Sequence, residues 1–264
     1  MSDLPEYETL LLTRDGRRLT ITMNSPETLN AFGAAMHREI TQALAFAGSD
    51  PGSDVIVITG AGRAFSAGGD IARMQHFVDH PDDFAEEAEG AKRLVFTLLD
   101  IEKPIIARIN GPAVGLGATI ALFCDVTFAA DSAKIGDPHV AIGLVAGDGG
   151  AVIWPALVGF HRAKEYLMTG DILTAAQAAE IGLINHVVPS ADLDDAVDAY
   201  CAKLLAGAQQ AIRWTKVTMN IELKRIAHAL MDPGMAYESL SVRSDDHRDR
   251  VAAFVRKGKT GPKP

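Results

Sequence analysis

The run Val55-Ile-Val-Ile-Thr59 places five β-branched residues in succession, between Asp54 and Gly60. A strand with one face in water alternates apolar and polar residues, and this one does not. It therefore reads as a strand covered on both faces, the situation of an inner strand in a parallel sheet flanked by helices. Lys103–Gly111 and Val126–Ala129 are further short apolar runs. Helical patterns lie between the strands: residues 31–47, with Phe32, Met36, Ile40 and Leu44 on one stripe and Asn30 as the expected N-cap, then a segment from His80-Pro81-Asp82-Asp83 to Leu99, then 115–123. At the start, Thr9–Thr13 and Arg18–Met23 flank an Asp15-Gly16 turn and read as a hairpin. Further helices are expected over 149–158, 161–168 and 174–180, and long amphipathic ones over 192–206, 209–228 and 233–255. Strands alternating with helices, followed by helices alone, predict an α/β core over residues 1–195 and a helical region over 196–264.

A chain of 264 residues buries about 70–75% of its unfolded surface and needs no covalent staple. Its two cysteines, Cys124 and Cys201, form no CxxC pair, and no HExxH spacing occurs, so no metal site is expected. With 25 Lys+Arg against 34 Asp+Glu, the net charge of −9 argues against nucleic acid or a membrane surface as partner. The segment Met1–Glu6 has neither the basic nor the apolar part of a leader, and no apolar stretch is long enough for a membrane span. A cytoplasmic location is expected.

Three glycine-rich stretches are where chemistry fits. In Gly60-Ala-Gly-Arg-Ala-Phe65-Ser-Ala-Gly-Gly-Asp70, Phe65 stands where a dinucleotide fingerprint needs its third glycine, so a Rossmann site is disfavoured. The small residues of Ala67–Asp70 instead let backbone N–H groups approach a ligand. Gly115-Leu116-Gly117 opens a helix whose first N–H groups suit a developing oxyanion, or simply packs that helix start closely on the sheet. Gly147-Asp148-Gly149 carries one carboxylate at a helix start, where Asp is also an ordinary N-cap, and His139 stands nine residues earlier. The remaining histidines, His37, His76, His80, His161, His186, His228 and His247, fit helix faces or exposed turns. There is no GxSxG elbow.

In order and spacing, Ser25-Pro26, Leu29-Asn30-Ala31, Ala64-Phe-Ser-Ala-Gly-Gly-Asp-Ile71, Lys103-Pro-Ile-Ile-Ala107, Asn110-Gly111, Gly115-Leu-Gly117 and Leu167-Met-Thr-Gly170 resemble the crotonase superfamily, the enoyl-CoA hydratase/isomerase family. The resemblance implies a ββα spiral core with a helical C-terminal trimerisation region, assembled as a homotrimer or a dimer of trimers. It implies an acyl-CoA substrate, with coenzyme A entering as part of the substrate and no prosthetic group. By motif position the thioester oxygen would lie between the N–H groups of Gly69 and Leu116. Leu29, Arg63, Ala64, Ala67, Gly68, Asp70 and Ile71 would bind the cofactor portion, with Lys257 and Lys259 as further phosphate contacts. Residues 72–100 would form the acyl-side wall, and Tyr237 and Phe254 are placed to reach a site, in this chain or a neighbour.

The two positions where hydratases of the family carry glutamates hold Thr119 and His139 here. His139 followed by Asp148 is similar to the crotonase-fold β-diketone hydrolases, in which a histidine–aspartate pair supports water attack and C–C cleavage. Three readings follow: a lyase of enoyl-CoA hydratase type using His139 as acid or base with Asp148 orienting it, a C–C bond hydrolase acting on a β-diketone or β-ketoacyl-CoA, and an acyl-CoA-binding scaffold without catalysis.

Overall fold

The computed structural model describes residues 4–260, with side chains through Arg256. Lys257 and Lys259 lie outside the described side chains. The expected hairpin is formed by β1 (Leu10–Asp15) and β2 (Arg18–Met23), with Asp15 opposite Arg18 and Gly16 at φ 55° in the turn. After α1 (Ala34–Ser49) the chain enters β3 (Val55–Gly60), all six residues of which are buried. β3 lies parallel to β2, and on its other side to β4 (Ile105–Ile109). Between β3 and β4 run α2 (Ile71–Asp79) and α3 (Phe84–Asp100). β5 (Ala113–Val114) and α4 (Leu116–Phe123) lead to β6 (Val126–Ala130) and β7 (Lys134–Gly136). Then follow α5 (Gly150–Thr169), β8 (Leu173–Thr174), α6 (Ala175–Glu180) and β9 (His186–Val188). The main sheet runs β1-β2-β3-β4-β6-β9, antiparallel only at its first pair, and β5-β7-β8 form a second small sheet.

The unalternating sequence of β3 has a direct structural counterpart. Ile56 and Ile58 enter the main core with Leu19, Ile21 and Leu94, whereas Val55 and Val57 face a second cluster with Ile106, Phe128, Leu193 and Val197. That second cluster is closed by α7 (Leu193–Leu205), which crosses residue 195 and packs on the sheet. Each such side chain removed from water contributes about 1.5–3 kcal/mol, which makes β3 the hinge between the two apolar layers.

The C-terminal third differs in detail from its sequence reading. One helix, α8 (Gln209–Val242), continues through Pro233 where two had been expected, and α9 (Asp245–Thr260) follows. Proline cannot donate to the preceding turn, but here the next residue, Gly234, lies against Gly147, and a Cβ on Gly147 would come within 2.4 Å of the Gly234 carbonyl. Tertiary contact at the interruption holds the helix together. The segments expected at 149–158 and 161–168 are the two parts of α5, broken at Gly159 (φ 77°).

Asn30 is not the N-cap of α1; Gly33 takes that place. Asn30 is fully buried, and its Nδ2 donates to the carbonyls of Ala61 (2.9 Å) and Ala64 (3.0 Å) while Oδ1 accepts from Ser25 N–H (2.9 Å). A side chain with both donors and acceptors can tie two loops together, and this one fixes the Gly60–Gly69 loop to the α1 entry.

Candidate active site

Two glycine loops meet above the sheet. The Ala67–Asp70 loop is positioned by Ser66, whose Oγ donates to Asn30 O (2.7 Å) and accepts from Gly68 N–H (3.1 Å). The second loop is joined to it by Val114 N–H donating to Ser66 O (2.9 Å). A Cβ on Gly68 (φ 84°) would stand 2.7 Å from Val114 O, and one on Gly117 would stand 2.7 Å from Ser66 Cβ. Only glycine allows this approach. Gly115 (φ 53°) then turns the chain into α4 beside Gly68 and the His139 ring. Among the described residues, neither the N–H of Gly69 nor that of Leu116 meets a protein acceptor. Leu116 is the first residue of α4, so its N–H also lies at the positive end of the helix dipole.

His139 stands beside these donors in a short 3-10 turn, His139–Ile142, that follows β7. Its Nδ1 is hydrogen-bonded to Asp137, and its Nε2 lies 3.5 Å from Asp148 Oδ2. Thr119 Oγ1 donates to the other oxygen of Asp148 (3.4 Å). The group that orients the ring through Nδ1 is thus Asp137, two residues away, and Asp148 sits on the opposite nitrogen. One ligand atom from each of these three residues lies within 4.8 Å of the others, and the Nδ1 of His139 is engaged by Asp137.

Glu238, on α8, completes the cluster by accepting from Gly147 N–H at 3.1 Å. The electrostatics are those of buried groups in contact. Burial alone would depress the His139 pKa, but Asp137 and then Asp148 outweigh it and hold the imidazole well above its ordinary range. Burial raises Asp148 to about 6 against the pull of His139, and raises Glu238 to about 8, with Asp148 and Asp137 adding to the rise. Glu238 therefore carries its proton at neutral pH.

Two connected cavities open onto His139. The larger, about 620 Å³, is mostly apolar and is lined by Leu29, Ala67, Gly68, Asp70 and Ile71, with Phe254 of α9 on its far wall. The smaller is lined by His139, Asp148 and Glu238 together with Phe32, Phe77, Phe84 and Met235. Gly69 and His139 border both. A family model described as enoyl-CoA hydratase/isomerase matches residues 17–261. The chain belongs to this family.

Its similarity to individual members extends over whole chains. It is 33% identical to the crotonyl-CoA hydratase of Syntrophomonas wolfei over 96% of this chain and 97% of that one. It is 34% identical to a probable enoyl-CoA hydratase of Mycobacterium bovis over 95% and 96%. The crystal structure of an enoyl-CoA hydratase/isomerase from Mycobacterium paratuberculosis superposes with a TM-score of 0.89 at 36% identity, covering 96% of this chain and 100% of the other. The fold is accordingly the crotonase fold, with its helical C-terminal region.

Within this enoyl-CoA hydratase/isomerase fold, not every residue expected at the site reaches it. Ala64 is buried, and its carbonyl is occupied by the side chains of Asn30 and Asn110 (3.1 Å), so it lines neither cavity. Arg63 is exposed on the loop outside both walls. Tyr237 is exposed and borders neither cavity. From residues 72–100, Arg73, Met74, Phe77, Phe84, Glu87 and Ala91 line the smaller cavity.

Two of the histidines read as fitting helix faces or exposed turns lie on helices, α1 and α9, and are buried. His247 donates through Nδ1–H to Ile142 O (2.7 Å) beneath the His139 turn, and His37 lines the smaller cavity. Asp137 and Glu238 were not singled out from sequence. For Asp137, the Asp-Pro-His spacing was the available signal, since an aspartate two residues before a histidine can fold back onto it. For Glu238, it was Pro233-Gly234, a helix interruption that has to pack against something.

Proposed function

We propose that this protein processes an acyl-CoA thioester through an enolate, with the thioester oxygen received between the N–H groups of Gly69 and Leu116 and the proton moved by the His139–Asp148 dyad. One observation carries this reading: two unpartnered backbone N–H groups border the same cavity as a half-buried imidazole held between carboxylates. The apolar cavity lined by Leu29, Ala67, Gly68, Asp70 and Ile71 supports a pantetheine arm on the other side.

In hydration of an enoyl-CoA, Asp148, the ionised member of the dyad beside the protonated His139, takes a proton from water as its oxygen bonds to the β-carbon. The double-bond electrons pass to the thioester oxygen, where the preorganised donors stabilise the charge; each such donor is worth about 3–4 kcal/mol. The enolate then collapses as the dyad delivers that proton to the α-carbon, which regenerates the thioester. Asp137 keeps the ring fixed through Nδ1, so that Nε2 faces the reacting atoms. The printed names of the relatives, crotonyl-CoA hydratase among them, support an enoyl-CoA as substrate.

A second reading has its own support in Glu238, a protonated carboxyl beside the dyad. In hydrolytic C–C cleavage of a β-ketoacyl-CoA, water bonds to the ketone carbon while the dyad takes its proton. The broken bond leaves its electron pair as the thioester enolate, the ketone carbon departs as a carboxylic acid, and Glu238 protonates the α-carbon and recovers its proton from the dyad. Turnover of enoyl-CoA, β-ketoacyl-CoA and cyclic β-diketone substrates separates the readings. We expect enoyl-CoA consumption that falls about 10²–10⁴-fold in His139→Ala. Consumption of the β-keto substrates alone would select the second reading, and binding without turnover across the panel would leave only a non-catalytic scaffold.

We further infer a cytoplasmic homotrimer or dimer of trimers. The exposed Phe160 and Met168 of α5, and Trp214, Met219 and Leu240 of α8, support burial between copies. Among the described residues, no helix is long and apolar enough to cross a membrane.

A further inference from the structure

One wall of the smaller cavity has no part in the dyad chemistry. His37 of α1, Arg73 of α2 and Glu87 of α3 converge there. Arg73 donates through Nε and Nη2 to Glu87 Oε2 at 3.0 and 2.5 Å, and its guanidinium lies 4.9 Å from the Phe77 ring centroid. Its Nη1 has no protein acceptor among the described residues. The His37 side chain is only 7% exposed, and its Nε2 is 3.6 Å from Glu87 Oε1, beyond hydrogen-bond reach and without another partner. A carboxylate on that side favours the tautomer with the proton on Nε2, so the wall presents a buried donor that nothing in the protein satisfies.

The position of this ring is built into α3. A Cβ on Gly90 would stand 2.6 Å from His37 Cε1, so the imidazole occupies space that every other residue at 90 would fill. Glycine in the middle of a helix lowers its stability, which is consistent with a requirement for the ring at that place.

We propose that this wall recognises a second carbonyl oxygen on the acyl chain, a ketone accepting from Arg73 Nη1–H and His37 Nε2–H. The inference rests on acyl-CoA binding in the adjoining cavity. A ketone fits better than a carboxylate because the carboxylates of Asp70, Glu87 and Asp148 also line the cavity, against the guanidinium of Arg73 and the imidazolium of His139. A second negative charge would face carboxylates from α3 and two loops, whereas a neutral acceptor satisfies the unmet donors at no such cost.

Calorimetric titration of the full chain with hexanoyl-CoA, 4-oxohexanoyl-CoA, 5-oxohexanoyl-CoA and adipoyl-CoA tests this. We expect one of the oxo compounds to bind at least about tenfold more tightly than hexanoyl-CoA, with no comparable gain for adipoyl-CoA. In the double variant Arg73→Met/Glu87→Gln, which leaves no unpaired charge, the ratio of oxo to plain affinity falls below about threefold. Equal binding of the oxo and plain compounds by the unaltered protein overturns the inference without need of any variant. So does a preference for adipoyl-CoA, or an oxo preference that survives in the double variant. Binding of hexanoyl-CoA without an oxo preference leaves the acyl-CoA reading intact, whereas failure of all four to bind removes both.

Discussion

His139, Asp148 and Glu238 ionise as one cluster, and the fold state of the chain depends on their protons. Glu238 has its pKa raised from the usual carboxylate range to about 8, and Asp148 to about 6, chiefly by burial. The folded protein therefore binds more protons than the unfolded chain above about pH 4, and stability falls as pH rises through that window. His139 adds in the same direction at higher pH: its contribution is complete below its ordinary value and is lost as pH rises through its raised folded value. Glu238→Gln keeps a partner for Gly147 N–H and removes the largest rise. We predict that denaturant unfolding of this variant between pH 5 and about 8.5 shows a flatter decline, with a gain on the order of 2–4 kcal/mol at the alkaline end. An unchanged slope would show that Glu238 is ionised in the folded state at neutral pH.

At the scale of elements, the loops and helix starts decide whether the site exists. Gly117 lies in the first turn of α4, and a Cβ there would meet Ser66 Cβ, Oγ and O at 2.7–3.0 Å. Helix propensity alone would favour alanine at this position by about 1 kcal/mol. Packing reverses the sign, because the Ser66 side chain that positions Gly68 has to give way. We predict that Gly117→Ala lowers stability by about 1–3 kcal/mol in urea unfolding and lowers turnover at least tenfold by separating the two loops. A stabilised, fully active variant would show that the loop contact is loose.

Elements of this kind were also the most legible part of the sequence. β3 could be read from five adjacent β-branched residues because burial on two faces leaves no room for alternation, and Asp70 was placed in a site loop that turned out also to cap α2, accepting from Arg73 N–H at 3.0 Å. Sequence was silent where contacts join distant segments. Asn30 has the composition of a cap but binds carbonyls more than 30 residues away, and Glu238 reaches the dyad from 90 residues beyond Asp148 only because α8 continues past Pro233. His37 reads as a helix-face residue until α3 is packed over it at Gly90. A local pattern cannot report a partner that is set by tertiary packing.

For the whole molecule, the sheet and its two apolar layers form the frame, and the turns after β3, β4 and β7 carry the candidate site residues. The same frame serves relatives along their full lengths. The central claim is that Gly69 and Leu116 hold an enolate while the His139–Asp148 dyad moves its proton, whichever bond the full reaction makes or breaks. Exchange of the α-hydrogens of a saturated acyl-CoA in deuterium oxide, followed by mass spectrometry, measures that step alone. The account predicts deuterium at the α-carbon with the unaltered protein, at a rate at least about 10²-fold lower in His139→Ala at equal ligand occupancy. Ligand bound without exchange, or exchange that persists undiminished in His139→Ala, would contradict it.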